Sequence, residues 1–280
     1  MSEYADLILL SNCIFTATEE IPFSGYIAIK NDRILSIGKG LAPTELIGTN
    51  TKYLDYGNKT ITPGFSDVHC FFTGYSVGFV GIDLSAATSQ EDILNSIKEY
   101  AKGIPADKPI LGHGWNSDTI QPDGTALLDE AFSTRPVLLF AKGCETCWMN
   151  QVAINRYQFT PETYVRFLPD LLGDKDFIIP EFKRYIKMMN SKGITSIKEM
   201  GFDDFYGFTD ILAELESENA LTIRVNFMSQ PVAEPFNLSY GKEMREKFKG
   251  EFVRFSGYNQ ITDGSISELC GDLKKPYSCA

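Results

Sequence analysis

The hydrophobic pattern changes character near residue 60. Before it, apolar positions come in short runs separated by turn residues, which is how strands read in a sequence. ADLILLSNCIFTA and YIAIKNDRILSIG are rich in Ile, Leu and aromatic positions. The second run breaks at Lys30-Asn31-Asp32, where Asn and Asp tolerate the left-handed backbone of a tight turn. KYLDYGNKTITPG adds a short strand, a Gly-Asn turn and another strand. These segments predict a small antiparallel β unit over residues 1–60.

From residue 61 onward apolar runs alternate with amphipathic stretches. ITPGFSDVHC reads as a strand. SQEDILNSIKEYAKG predicts a helix capped by Ser89, with Asp92 three residues on and Ile93, Ile97, Tyr100 and Ala101 sharing one face. PILGHGWN and RPVLLFAKG read as buried strands on either side of LLDEAF. IPEFKRYIKMMNSKG predicts a helix with Pro180 in its first turn and Gly193 at its end, leading into the strand ITSIKEMG. FTDILAELESENA and SYGKEMREKFKG are helices before the strands LTIRVNFMS and FVRFSGYNQITDGS.

Alternation of this kind predicts an α/β fold in which crossover helices join parallel strands. About six strand–helix units fit into residues 61–280, whereas a closed barrel needs eight strands and typically about 250 residues. The expectation is an incomplete TIM-like (β/α) barrel.

Charge and cysteine usage narrow the partners. A formal net charge of −11 disfavours nucleic acid and anionic membrane surfaces, both of which would repel the chain. MSEYADLILL carries acids where a signal peptide carries bases, and no apolar run approaches the length of a spanning helix. Six cysteines without such a signal read as free thiols in a reducing compartment, so a cytoplasmic location is expected.

Taken in order, GNKTITPGFSDVH, GHGWN, LLDEAFSTRPVLLF, GCETCWMNQVAI, GITSIKEMG and GYNQITDGSISELCGDLKKPY resemble successive blocks of the amidohydrolase superfamily. Within it the match is to the amidohydrolase 3 family, which includes N-substituted formamide deformylases. The resemblance implies a composite β-sandwich, to which the N-terminal strands contribute, and a barrel with metal at the C-terminal mouth. It also implies zinc or another divalent ion that activates water against amide or formamide C–N bonds. The family's ligands are a His-x-His pair on the first barrel strand, often a carboxylated lysine, two later histidines and a late aspartate. The pair has a physical logic: residues two apart on a strand point to the same face.

Several of those positions are occupied differently here. His69 matches the first histidine, but the second falls on Phe71, which has no lone pair for a metal. His69 therefore reads either as a residual ligand or as a strand-end histidine held by packing. Asn259 stands where the family often has lysine, and asparagine forms no carbamate. Cys144 replaces a pocket histidine and creates Cys144-x-x-Cys147, readable as a thiol or redox pair, as part of a metal site, or as two ordinary core thiols.

His113 and Trp115 match a segment at the mouth of the second barrel strand, with substrate contact and simple packing as competing roles. Glu199 ends a strand and is the best carboxylate for the cavity. Asp263, Ser265 and Glu268 read either as further residues of the same mouth or as side chains simply solvated beside a loop. The resemblance places the family's later ligands beyond Tyr277, so the expected picture is an N-terminal half with a degraded metal site and no tightly bound metal. Three functions follow. One is a hydrolase of small molecules completed by a companion chain. Another is a non-catalytic pseudoenzyme or interaction subunit that self-associates through an open barrel edge. A thiol-based protein using Cys144 and Cys147 is the minor reading.

Overall fold

A computed structural model describes residues 4–72, 80–143, 146–157, 173–200, 208–230, 235–260, 263, 269 and 271–278. The chain divides into two compact units, Met1–Phe65 and Ser66–Ala280.

The first unit is one sheet built from β1 (Leu7–Ile14), β2 (Phe23–Lys30), β3 (Arg33–Lys39), β4 (Lys52–Asp55) and β5 (Thr60–Ile61). The strand order is β3-β2-β1-β4, with β5 also beside β1. The hairpin between β2 and β3 closes through Asn31 and Asp32, with Lys30 opposite Arg33 and Asn31 at φ 52°. This is the turn that the Asn-Asp pair predicts. Period-two alternation puts Ile8, Tyr26 and Ala28 in a small core with Leu10, Leu35, Leu46 and Ile47.

The antiparallel expectation holds for β1–β3 but not beyond. β4 and β5 both pair with β1 in parallel. The reason lies at Gly57. Its backbone sits at φ 57°, and its carbonyl accepts from the Asn12 amide at 2.8 Å. The Gly-Asn segment therefore carries the chain onward along β1 instead of folding it back, and the Ser11 hydroxyl anchors it by donating to the Lys59 carbonyl at 2.6 Å.

Among the described residues the second unit contains two four-stranded sheets. One has the order β10-β9-β8-β7, made from β7 (Ile82–Asp83), β8 (Ile110–Trp115), β9 (Val137–Ala141) and β10 (Cys147–Met149). β7, β8 and β9 are parallel, and β10 runs antiparallel to β9. Its helices are α1 (Gln90–Tyr100), α2 (Ala126–Ala131) and α3 (Gln151–Tyr157). The Ser89 hydroxyl caps α1 by accepting from the Asp92 amide at 3.1 Å, as the sequence predicts.

The other sheet has the order β13-β12-β11-β6, from β6 (Phe65–Cys70), β11 (Ile194–Glu199), β12 (Arg224–Ser229) and β13 (Val253–Tyr258). α4 (Lys175–Ser191), α5 (Phe208–Ser217) and α6 (Leu238–Lys247) accompany it. The largest core takes Cys70, Ile197, Val225, Phe227 and Val253 from these strands, and Ile178, Phe182 and Leu212 from the helices. Leu111, Leu138 and Phe140 of the first sheet join it, while Ile110, Val137, Leu139 and Ala141 pack on the opposite side. β9 is thus buried on both faces, as a parallel-sheet strand reads.

Two expectations need correction. The strand–helix units do not line up in one barrel sheet. The described neighbour of β6 is β11, and β8 and β9 belong to the separate sheet. The GHGWN strand is therefore not the second barrel strand. Alternating periodicity marks crossover units but does not say which strands pair across an intervening segment.

Pro180 also lies well inside α4, since the helix begins at Lys175. A proline there loses one ladder hydrogen bond and costs about 3 kcal/mol. Complete burial of Ile178 in the preceding turn returns about 1.5–3 kcal/mol. That balance lets the helix start a turn early.

Candidate functional site

The candidate site is the C-terminal end of β6 and what meets it. Alternation along the strand places Asp67, His69 and the following Phe71 on one face, and Cys70 on the other. Cys70 is buried in the large core. Burial there, with Glu199 and Asp67 adding negative charge, pushes its thiol up to about 12. His69 is exposed, and its amide donates to Asp67 Oδ1 at 3.1 Å. The His69 and Phe71 rings meet edge to face, with centroids 5.5 Å apart at 73°. An aromatic ring thus stands beside the imidazole where a second donor would be.

Glu199 is turned into the protein interior. It is 1% exposed, and its carboxyl oxygen accepts from the Phe72 amide. One residue on, the Met200 amide donates to the Cys70 carbonyl at 2.8 Å. Together these bonds tie the ends of β6 and β11. The β11–β12 register sets Glu199 opposite Phe227, a core residue, so strand alternation alone turns it inward.

Asn259 follows β13. Its amide donates to the Ser229 carbonyl at 2.8 Å, and its side-chain Nδ2 donates to Gln230 Oε1 at 2.6 Å. It closes the end of β13 onto β12. Asp263 is exposed and accepts from the Asp272 amide at 2.8 Å. Cys144, Ser265 and Glu268 lie outside the described residues.

His113 and Trp115 sit on β8, in the other sheet. His113 is buried. Loss of hydration lowers its pKa and the Arg184 charge adds to this, while Asp83, a backbone hydrogen bond with Val80 and Glu181 oppose it. The Trp115 indole is buried and donates to the Leu139 carbonyl at 2.9 Å. The structure thus separates these two residues from the rim that holds His69, Phe71 and Asn259. Cys147 is half-buried on β10, opposite Phe140.

The sequence reading missed two participants. Asp67 shares the His69 face at the same two-residue spacing that defines His-x-His, so that spacing alone would have found it. Asp83 reaches His113 only because β7 pairs with β8, setting the two residues opposite each other. No local pattern announces that.

Among the described residues, the donors at the end of β6 do not fit a tightly held divalent ion. A catalytic zinc takes three protein ligands from His, Asp, Glu or Cys. Among the described residues no group of three or more such side chains is arranged to hold a metal. The chain's two histidines stand on different sheets.

The model of the amidohydrolase family, in its amidohydrolase 3 form, matches residues 52–278. The exoenzymes regulatory protein AepA of Pectobacterium carotovorum subsp. carotovorum is 22% identical, with 94% of this chain and 64% of that protein covered. The putative amidohydrolase YtcJ of Bacillus subtilis is 24% identical, with 94% and 55% covered. The chain thus spans less than two thirds of the length of these relatives. The crystal structure of an uncharacterized metal-dependent hydrolase from Pyrococcus horikoshii superimposes with TM-score 0.68 at 19% identity, over 94% of this chain and 56% of that one. The fold is α/β, a partial (β/α) barrel preceded by an N-terminal sheet. With a family match running through most of its length, the chain belongs to the amidohydrolase family.

Proposed function

We propose that this chain derives from metal-dependent hydrolases of non-peptide C–N bonds, of the amide or formamide kind, and that alone it does not turn such bonds over. The observation that carries the reading is the Phe71 ring packed against His69. A phenyl ring supplies no lone pair, so this strand by itself brings one donor fewer than a His-x-His pair would. The chain then serves as a non-catalytic scaffold of this family.

A second reading has support from β6. Among the described residues this strand is the edge of its sheet, and it leaves Phe65 59% and Val68 68% exposed. Exposed edges of this sort recruit further strands. A companion polypeptide or a second copy pairing along β6 would extend the sheet and add ligands.

One purification tests both. The isolated protein is expected to carry metal well below stoichiometry and to show no chelator-sensitive hydrolysis of N-substituted formamides or simple amides. Phe71→His is expected to tighten Zn(II) binding at least about 10-fold, equivalent to about 1.4 kcal/mol. Near-stoichiometric metal in the native protein, with turnover abolished by chelation, would overturn the proposal. A strictly monomeric mass by light scattering, unchanged by candidate companion chains, would remove the second reading.

A further inference from the structure

We propose that the cleft between β8, β10 and the loop entering α2 binds a small neutral aromatic molecule, a single ring with a short polar substituent. It is lined by Trp115, Cys147, Trp148, Met149 and Ile154, with Thr125 and Thr146 supplying hydroxyls, and its volume is about 240 Å³. An apolar cavity of roughly 150 Å³ accommodates benzene, so this one has room for a substituted ring. The site lies on the sheet that does not carry His69, and it stands whether or not the chain catalyses anything.

The lining fixes the class of ligand. Both indole N–H groups are already committed, Trp115 to the Leu139 carbonyl and Trp148 to the Gly124 carbonyl, each at 2.9 Å. The two rings are therefore locked in place; they are only 1% and 5% exposed, so the carbon edge that each shows to the cleft favours edge-on aromatic partners. A pre-set wall also spares the binding step the cost of ordering side chains. Among the described residues no charged side chain lines the cleft. Against these described walls a carboxylate or ammonium ligand would lose hydration with no opposite charge to replace it. A hydroxyl or carboxamide substituent finds the two threonine hydroxyls instead.

The chain has two tryptophans, and both line this cleft, so intrinsic fluorescence reports its occupancy without a label. Benzyl alcohol and benzamide are the neutral probes, and benzoate is the anionic comparison. The neutral probes are expected to give a saturable change in tryptophan emission and to protect Cys147 from iodoacetamide, read by peptide mass. Benzoate is expected to bind at least tenfold more weakly. Thr146 is exposed at the rim, and its backbone carbonyl, which accepts from Ala141, is untouched by substitution. Thr146→Phe is therefore expected to narrow the mouth and weaken binding at least tenfold at an unchanged melting temperature. No saturable change up to the solubility of the neutral probes would overturn the proposal. So would benzoate binding as tightly, or binding that survives Thr146→Phe and leaves Cys147 unprotected.

Discussion

The two sheets of the second unit treat their polar groups in opposite ways. On the β7–β10 sheet, buried polar atoms are spent on structure. Asn150 is fully buried, donates through Nδ2 to the Phe132 and Arg135 carbonyls at 2.8 Å each, and accepts from the Val137 and Ala153 amides. On the β6–β13 sheet the described strand ends carry an aromatic ring, an inward-turned carboxyl and an amide closing on glutamine. Packing and chemistry have separate requirements, and a fold by itself does not set the second.

The contrast is broken most readily through Asn150. Asn150→Ala strands two buried amides and two part-buried carbonyls and is expected to cost on the order of 3–5 kcal/mol in denaturant unfolding. A loss no larger than that at a rim position would erase the distinction between the sheets.

Glu199 tests the other side. Glu199→Ala removes the acceptor of one buried amide, with an expected loss of about 1–3 kcal/mol. Glu199→Gln keeps a carbonyl at the same reach and is expected to recover most of that loss. Failure of Gln to rescue would mean that the residue does more than tie β6 to β11.

The smallest effect is a pH slope at His113. Burial holds its pKa below the ordinary value, with Asp83, Arg184 and Glu181 around it. The unfolded chain takes up a proton near pH 6.5 that the folded one resists. Its contribution is therefore complete above about pH 6.5 and is lost as pH falls towards the lowered value, by at most about 1.4 kcal/mol per pH unit. His113→Gln should flatten that part of the melting-temperature profile. An identical slope in the variant would show that the imidazole is not the group responsible.

Much of this architecture is legible in the sequence. The Asn31-Asp32 hairpin, the Ser89 cap and the order of strands and helices follow from local patterns of polarity and turn chemistry. What the sequence does not show is adjacency. β4 beside β1 in parallel, and β11 instead of β8 beside β6, depend on contacts between residues tens of positions apart. The three-residue strand β10 was hidden because Cys-Trp-Met is too short for a period to register.

At the site, the expectation at Phe71 comes from the family resemblance, which implies a second histidine two residues after His69. The inward turn of Glu199 is not readable in the sequence, because the face on which a strand-end residue lands depends on register with its neighbour.

Among the described residues no strand lies on the flank of β6 away from β11, and that flank gives the missing donor a second origin. Adjacent strands lie about 4.8 Å apart, so a residue on a strand laid against this flank, opposite His69, would come within a side chain's length of the imidazole. Sheet extension and ligand supply would then be a single event, governed by whichever polypeptide docks. In that arrangement Phe71 need never be replaced, because the complementary electron pair arrives sideways across the ladder instead of from two residues further along the same strand.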